Sequence, residues 1–231
     1  MRVNEHLLAI ELPFTFGGIP GHLFIPVVLH EDAGVTLVDT GVPGSLEAIE
    51  RELGSVGRSI RDVRAVVLTH HDLDHIGSLA DVVQASGARV YADRREVPFI
   101  DGNRPPQKHL APDPRFGPAA PARVDEVLQP GQVLPVAGGL RAVPTPGHTF
   151  GHTSFLLERS GVLLPGDSLA LDGGVLHGPP PHVTPDLREA HRSVRVMSKL
   201  PVRAVLCYHG GLLTTTAAEQ LRGLADQLDP R

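Results

Sequence analysis

The sequence predicts an α/β protein built from two mixed β-sheets with helices on the outside. Short apolar, β-branched runs recur from residue 6 to residue 206, and several end at a polar residue flanked by glycine or proline. Helix-like amphipathic stretches are interspersed among them rather than gathered in one block, which is the pattern of layered α/β folds. A hydrophobic content of 41% over 231 residues supports a sizeable core. The expectation is a single domain spanning residues 1–231.

Taken in order, residues 6–12 and 22–29 read as strands, with Pro13 and Gly17-Gly18 marking the turn between them. Pro26 suggests an edge position or a bulge in the second strand. Residues 34–41 form a third strand ending in Asp39-Thr40-Gly41, and Ser45 is placed to cap a helix running to about Leu53. A fourth strand, Arg64 to Thr69, is the most central by its apolar character, and a helix follows from Ile76 to about Ser86. A short strand at 88–92 precedes Pro98 to Pro121, which holds seven prolines in 24 residues and reads as a loop, either a passive excursion or a lid. Strands at 124–128, 133–136 and 140–144 come next, then a hairpin of 153–158 with 162–164. A proline- and glycine-rich stretch leads from Gly173 to Pro185. A helix beginning at Thr184 or Asp186, a strand at 202–206 and an amphipathic helix from Thr214 to Leu228 complete the chain.

Composition narrows the function. The net charge of −5 comes from 21 basic and 26 acidic residues spread along the chain, so no basic block offers itself to nucleic acid. Only Lys108 and Lys199 are lysines; the remaining cations are arginines. Cys207 is the sole cysteine, so no intrachain disulfide can form, and a reducing cytoplasm fits. The opening Met-Arg-Val-Asn-Glu-His does not read as a signal peptide, and no run approaches the ~18 apolar residues of a membrane span. The expected partner is a small-molecule substrate, with no nucleic acid and no membrane; composition does not address oligomeric state.

The most informative stretch is Thr69-His70-His71-Asp72-Leu73-Asp74-His75, which follows the apolar run Ala65-Val66-Val67-Leu68. Three histidines and two aspartates fall within six positions. A core cannot bury that many polar groups unpaired, whereas a metal accepts neutral imidazole and carboxylate together and supplies the balancing charge. The site also lies at a strand's carboxyl end, where open α/β sheets commonly bind ligands. His70 and Asp72 are two residues apart and Asp74 and His75 are adjacent, which suggests two pairs aimed at two ions. Four further residues stand just after apolar runs beside glycine or proline: Asp39, His148 in Pro146-Gly147-His148-Thr149, Asp167 in Pro165-Gly166-Asp167-Ser168, and His209 in Tyr208-His209-Gly210.

In this order, the motifs resemble the metallo-β-lactamase-fold superfamily, and within it the glyoxalase II-like and lactonase-like hydrolases. The resemblance covers about residues 6 to 225 and implies a four-layer αββα sandwich. It further implies that His70, Asp72 and His148 bind one metal, that Asp74, His75 and His209 bind a second, and that Asp167 bridges them. Asp39 would orient the ligand loop from behind, and His152 would likewise support rather than ligate. One position departs: the family usually has histidine where this chain has Asp72. With two divalent ions and three carboxylates the site sums to +1, where a histidine would leave +2. Zinc is the leading metal implied, with manganese or iron as alternatives that the extra carboxylate favours. His71, beside Asp72, could stand in as a ligand, but its side chain should point away from that of His70.

The implied chemistry is hydrolysis of a lactone, ester or thioester by a metal-bound hydroxide, with Asp74 as the catalytic carboxylate. Two alternatives stay open: a mononuclear iron oxidoreductase resembling the persulfide dioxygenases, and a non-catalytic binding protein on the same fold. A flavin-partnered di-iron branch also carries a carboxylate at position 72, but the chain is too short for its flavin domain. His177 and His182, in the proline- and glycine-rich segment, are candidate substrate-binding residues. Ser168 reads as a turn residue and Cys207 as structural.

Overall fold

The computed structural model describes residues 1–16, 19–108 and 115–228. The chain gathers into two compact units. One comprises Met1–Leu12 and Ile25–Leu128; the other comprises Pro13–Phe24 and Gln129–Arg231. The described residues contain no helix long and apolar enough to cross a membrane.

Strands β1 (Leu7–Phe16) and β2 (Ile19–Leu29) are both longer than the sequence suggests. Pro13 lies inside β1 rather than in the turn, and the expected Gly17-Gly18 turn lies outside the described residues. β2 is not an edge strand. It pairs antiparallel with β3 (Val35–Val38) through Val27, Val28 and Leu29. Pro26 stands just before this ladder, so its missing N–H is not required there.

The buried β3 leads through α1 (Leu46–Ser55) to β4 (Val63–Val67), which runs parallel to it. Parallel neighbours need a crossover, and α1 provides one. Ser45 precedes α1 but does not cap it: its hydroxyl donates to the Val42 carbonyl at 2.8 Å and its N–H to Ser78 Oγ at 2.8 Å.

The helix expected from Ile76 to Ser86 is two helices, α2 (Leu73–Ile76) and α3 (Leu79–Ser86). The break falls at Gly77, where a Cβ would lie 2.4 Å from the Pro43 nitrogen and 2.5 Å from the Leu73 carbonyl oxygen. Only glycine lets the chain after α2 approach residue 43 so closely. β5 (Arg89–Ala92), α4 (Val97–Ile100) and β6 (Glu126–Val127) follow. The sheet order is β1-β2-β3-β4-β5-β6, with β3 through β6 parallel. β4 is therefore flanked on both sides, and its buried Val66 and Val67 reflect that.

The second unit holds β7 (Val133–Leu134), β8 (Leu140–Pro144), β9 (Thr153–Leu157), β10 (Val162–Leu164), β11 (Ala170–Asp172) and β12 (Val175–His177). It continues with α5 (Leu187–Ser198), β13 (Ala204–Cys207), β14 (Gly211–Leu213) and α6 (Ala217–Gln227). Its sheet order is β14-β13-β10-β9-β8-β7, mixed because β10 and β13 run parallel while the other pairs are antiparallel. Leu156, Leu163, Val205 and Cys207 of this sheet share one core with Val194 and Met197 of α5 and Leu221 and Ala225 of α6. Asp186 caps α5, its carboxylate accepting from the Glu189 N–H at 2.9 Å. The β11–β12 hairpin, which turns at Gly173-Gly174, and the short β14 are elements the sequence did not reveal.

Candidate metal centre

In the first unit the site grows from the end of β4. The Asp39 N–H donates to the Val67 carbonyl at 3.0 Å, which sets the turn after β3 beside the turn after β4. Asp39 itself has φ +65, a left-handed conformation that aspartate tolerates better than most side chains. Its fully buried carboxylate accepts from the Thr69 N–H at 2.8 Å, from the Thr69 hydroxyl at 2.7 Å and from His75 Nδ1 at 2.8 Å. Burial pushes this carboxyl above the ordinary range, opposed by His75 and the Thr69 donors. The neighbouring Thr40 N–H and hydroxyl both donate to the His75 carbonyl, at 2.7 and 2.9 Å.

With Nδ1 of His75 held by Asp39, Nε2 is the atom left to face outward. It stands 3.8 Å from Asp74 Oδ2. His70 is arranged the same way: Nδ1 lies 2.9 Å from the Thr69 hydroxyl and Nε2 lies 3.2 Å from Asp72 Oδ2. The two imidazoles lie side by side, their centroids 4.0 Å apart.

His71 faces elsewhere. Its Nδ1 bonds the buried Glu96 carboxylate, its Nε2 accepts from the Gln107 N–H at 3.1 Å, and its ring stacks on Phe99 at 4.3 Å. This ties the residue 98–108 part of the proline-rich stretch to the turn after β4; residues 109–114 lie outside the described residues. The Lys108 ammonium completes the attachment by donating to Asp72 Oδ2. Neither Glu96 nor Lys108 stood out in the sequence. The only available signal was that Lys108 is one of two lysines in the chain.

In the second unit, Asp167 lies between two histidines. Its Oδ2 is 3.3 Å from His148 Nε2 and its Oδ1 is 3.4 Å from His209 Nε2. The Asp167 N–H donates to Nε2 of the buried His152 at 3.1 Å, while His152 Nδ1 lies 2.8 Å from the Thr145 hydroxyl and 3.1 Å from that of Ser168. His152 therefore holds the backbone that carries Asp167, and Ser168 is part of that network as well as of a turn. Gly147 makes the sharp entry to His148: its φ is +135, and a Cβ there would stand 2.3 Å from the Ala190 nitrogen of α5. Cys207 is fully buried, and burial pushes its thiol above the usual range. His177 on β12 and His182 in the turn Pro181–Val183 are both exposed.

These donor spacings have a simple reading. Two ligands each about 2.1 Å from a tetrahedrally coordinated ion stand about 3.4 Å apart. The His70–Asp72, His148–Asp167 and His209–Asp167 separations of 3.2, 3.3 and 3.4 Å match that edge, and His75–Asp74 at 3.8 Å is slightly longer. Mixed imidazole and carboxylate donors suit a divalent zinc, manganese or iron ion.

The model of the metallo-β-lactamase superfamily matches residues 26–209. The chain belongs to the metallo-β-lactamase superfamily. The αββα fold class read from the sequence is that of this superfamily. Among relatives, the Bacillus subtilis (strain 168) protein named "Probable metallo-hydrolase YflN" is 29% identical over 205 residues, which is 78% of this chain and 76% of that protein. A hydroxyacylglutathione hydrolase of Methylobacillus flagellatus is 29% identical over 185 residues; the match takes in 79% of this chain and 60% of that longer protein. Among solved structures, a metallo-β-lactamase family protein of Thermus thermophilus is 25% identical with a TM-score of 0.75, covering 98% of this chain and 79% of the other. A metallo-β-lactamase from Pontibacter korlensis, at 17% identity, shares the fold with a TM-score of 0.75 over 98% and 97% of the two chains. The metal-dependent hydrolase class expected from the sequence agrees with these superfamily relatives.

Proposed function

We propose that this superfamily member is a dinuclear hydrolase of a lactone, ester or thioester, and that residues 1–231 work as a single domain. As the family resemblance implies, His70, Asp72 and His148 would hold one ion, and Asp74, His75 and His209 the other, with Asp167 shared between them. The observation that carries this reading is Asp167: each of its two oxygens faces a different histidine at the spacing of two ligands on one ion. A carboxylate serving a single ion would not need both oxygens so placed.

Divalent ions held there would lower the pKa of a coordinated water and polarise the substrate carbonyl. The chain's own residues do the rest. Asp39 and Thr69 fix His75 and His70 so that their Nε2 atoms carry the lone pairs. His152 fixes the Asp167 backbone. Asp74, with about a fifth of its side chain exposed, is the carboxylate that accepts the proton from the attacking water. The hydroxyacylglutathione hydrolase relative supports including thioesters in the substrate class.

The test is metal content per chain in protein purified without chelator or added metal, followed by turnover of a lactone, ester and thioester panel. About two equivalents of a divalent ion with hydrolysis of one class is the expected result. About one iron, with oxygen consumption on a persulfide, would replace this reading with the oxidoreductase. No metal uptake at all would end the catalytic reading.

A further inference from the structure

We infer that Lys108 is a positioning residue that neutralises Asp72, so that the Asp72–Lys108 pair replaces electrostatically the histidine usual at this position in the family. The inference rests on the metal-centre reading above. Lys108, Asp72, His70, His71 and Glu96 all lie in the first unit. The Lys108 side chain is only 5% exposed and its ammonium donates to Asp72 Oδ2, the same oxygen that faces His70 Nε2 at 3.2 Å. A buried ammonium is costly unless paired, so this contact is a built feature rather than one rotamer of a solvated side chain.

The backbone explains how it is built. The neighbouring Gln107 N–H is bonded to His71 Nε2, His71 Nδ1 is bonded to buried Glu96, and Phe99 stacks on the same ring. His71 is thus a peg between the ligand loop and the 97–108 segment, and it delivers residue 108 to residue 72. A lysine suits the position because its compact ammonium can meet one carboxylate oxygen from the side while leaving that oxygen's other lone pair directed toward His70. Charge accounting then changes. Two divalent ions, three carboxylates and one ammonium sum to +2, the value a histidine at position 72 would give. The +1 expected from the ligands alone omitted a cation that lies 36 residues away in sequence.

The test is metal affinity, measured by chelator competition with zinc and with manganese on metal-stripped protein. Wild type is compared with Lys108→Met, Lys108→Arg, Asp72→His and the double variant Asp72→His/Lys108→Met. Removing the ammonium removes repulsion of the ion, so Lys108→Met should bind one equivalent about 10- to 100-fold more tightly, while Lys108→Arg should stay within about 3-fold. Asp72→His alone sets an imidazole against the ammonium and should lose at least about 10-fold; the double variant should return to within about 3-fold of wild type. If Lys108 only braces the loop, Lys108→Met will bind more weakly and Asp72→His will not rescue it, which overturns the inference. Should Lys108→Met fail to fold, Lys108→Gln, which keeps a hydrogen-bond donor without the charge, carries the same expectation. Wild-type protein that binds no metal would refute the metal centre itself, an outcome separate from normal binding with no Lys108 effect.

Discussion

Replacing Asp39 with asparagine changes one atom and separates the two jobs this residue performs. Asparagine keeps the size and tolerates the left-handed backbone at φ +65. Its carbonyl oxygen can keep the Thr69 N–H bond now made at 2.8 Å, but its NH2 then points at His75 Nδ1 and the Thr69 hydroxyl. The hydroxyl can rotate and accept. His75 can accept only by moving its proton to Nε2, the atom that faces Asp74 at 3.8 Å and that a metal would need. The stability cost is the difference between a charge-assisted and a neutral hydrogen-bond set, reduced by no longer burying a carboxylate. That amounts to about 1–2 kcal/mol, or a Tm lower by about 2–8 °C in a domain of this size. The metal cost is larger in consequence: losing such a supporting carboxylate typically weakens binding by about 10- to 100-fold. Thermal melts and chelator competition on the same preparations test both. A variant with a lowered Tm and unchanged affinity for two equivalents would refute the argument that Asp39 sets the protonation of His75.

Gly147→Ala should be among the most damaging single-methyl changes in the chain. The new Cβ would meet the α5 backbone at Ala190, 2.3 Å from N and 2.5 Å from Cα, at a φ that L-residues avoid. A loss of at least about 2 kcal/mol is expected in chemical denaturation, together with reduced metal uptake through His148; an unchanged midpoint would mean that the loop does not approach α5 so closely. Cys207, fully buried with its thiol raised by burial, should react with iodoacetamide at pH 8 at least about 100-fold more slowly in the folded protein than in guanidinium. Rapid labelling of folded protein would contradict its place in the sheet core.

Much of the candidate site was legible because its candidate ligands are short-range in sequence or marked by glycine. The run His70 to His75 crowds five donors after an apolar strand, and the small residues at Gly147, Gly166 and Gly210 flag backbone that turns sharply beside a donor. Strand β4 was recognisable because a strand paired on both sides is apolar nearly throughout. The β11–β12 hairpin and β14 were not, since three-residue strands carry too little alternation to stand out from a glycine-rich loop. The break between α2 and α3 was also hidden: amphipathic periodicity runs through it, and the cause is the approach of Pro43 to Gly77, a contact between residues 34 apart.

The class of chemistry was readable from the chain alone, because donor type and local order are properties of the chain: imidazole and carboxylate at strand ends can serve few purposes besides a metal. Which way each donor faces, and what stands behind it, followed from the fold. Asp167 presents one oxygen to each of two histidines, His71 turns from the ligand loop to hold the 97–108 segment, and Lys108 reaches Asp72 across 36 residues. Electrostatic energy depends on distances in space rather than on positions along the chain, so the charge of the site could not be summed until the fold had brought that lysine to it.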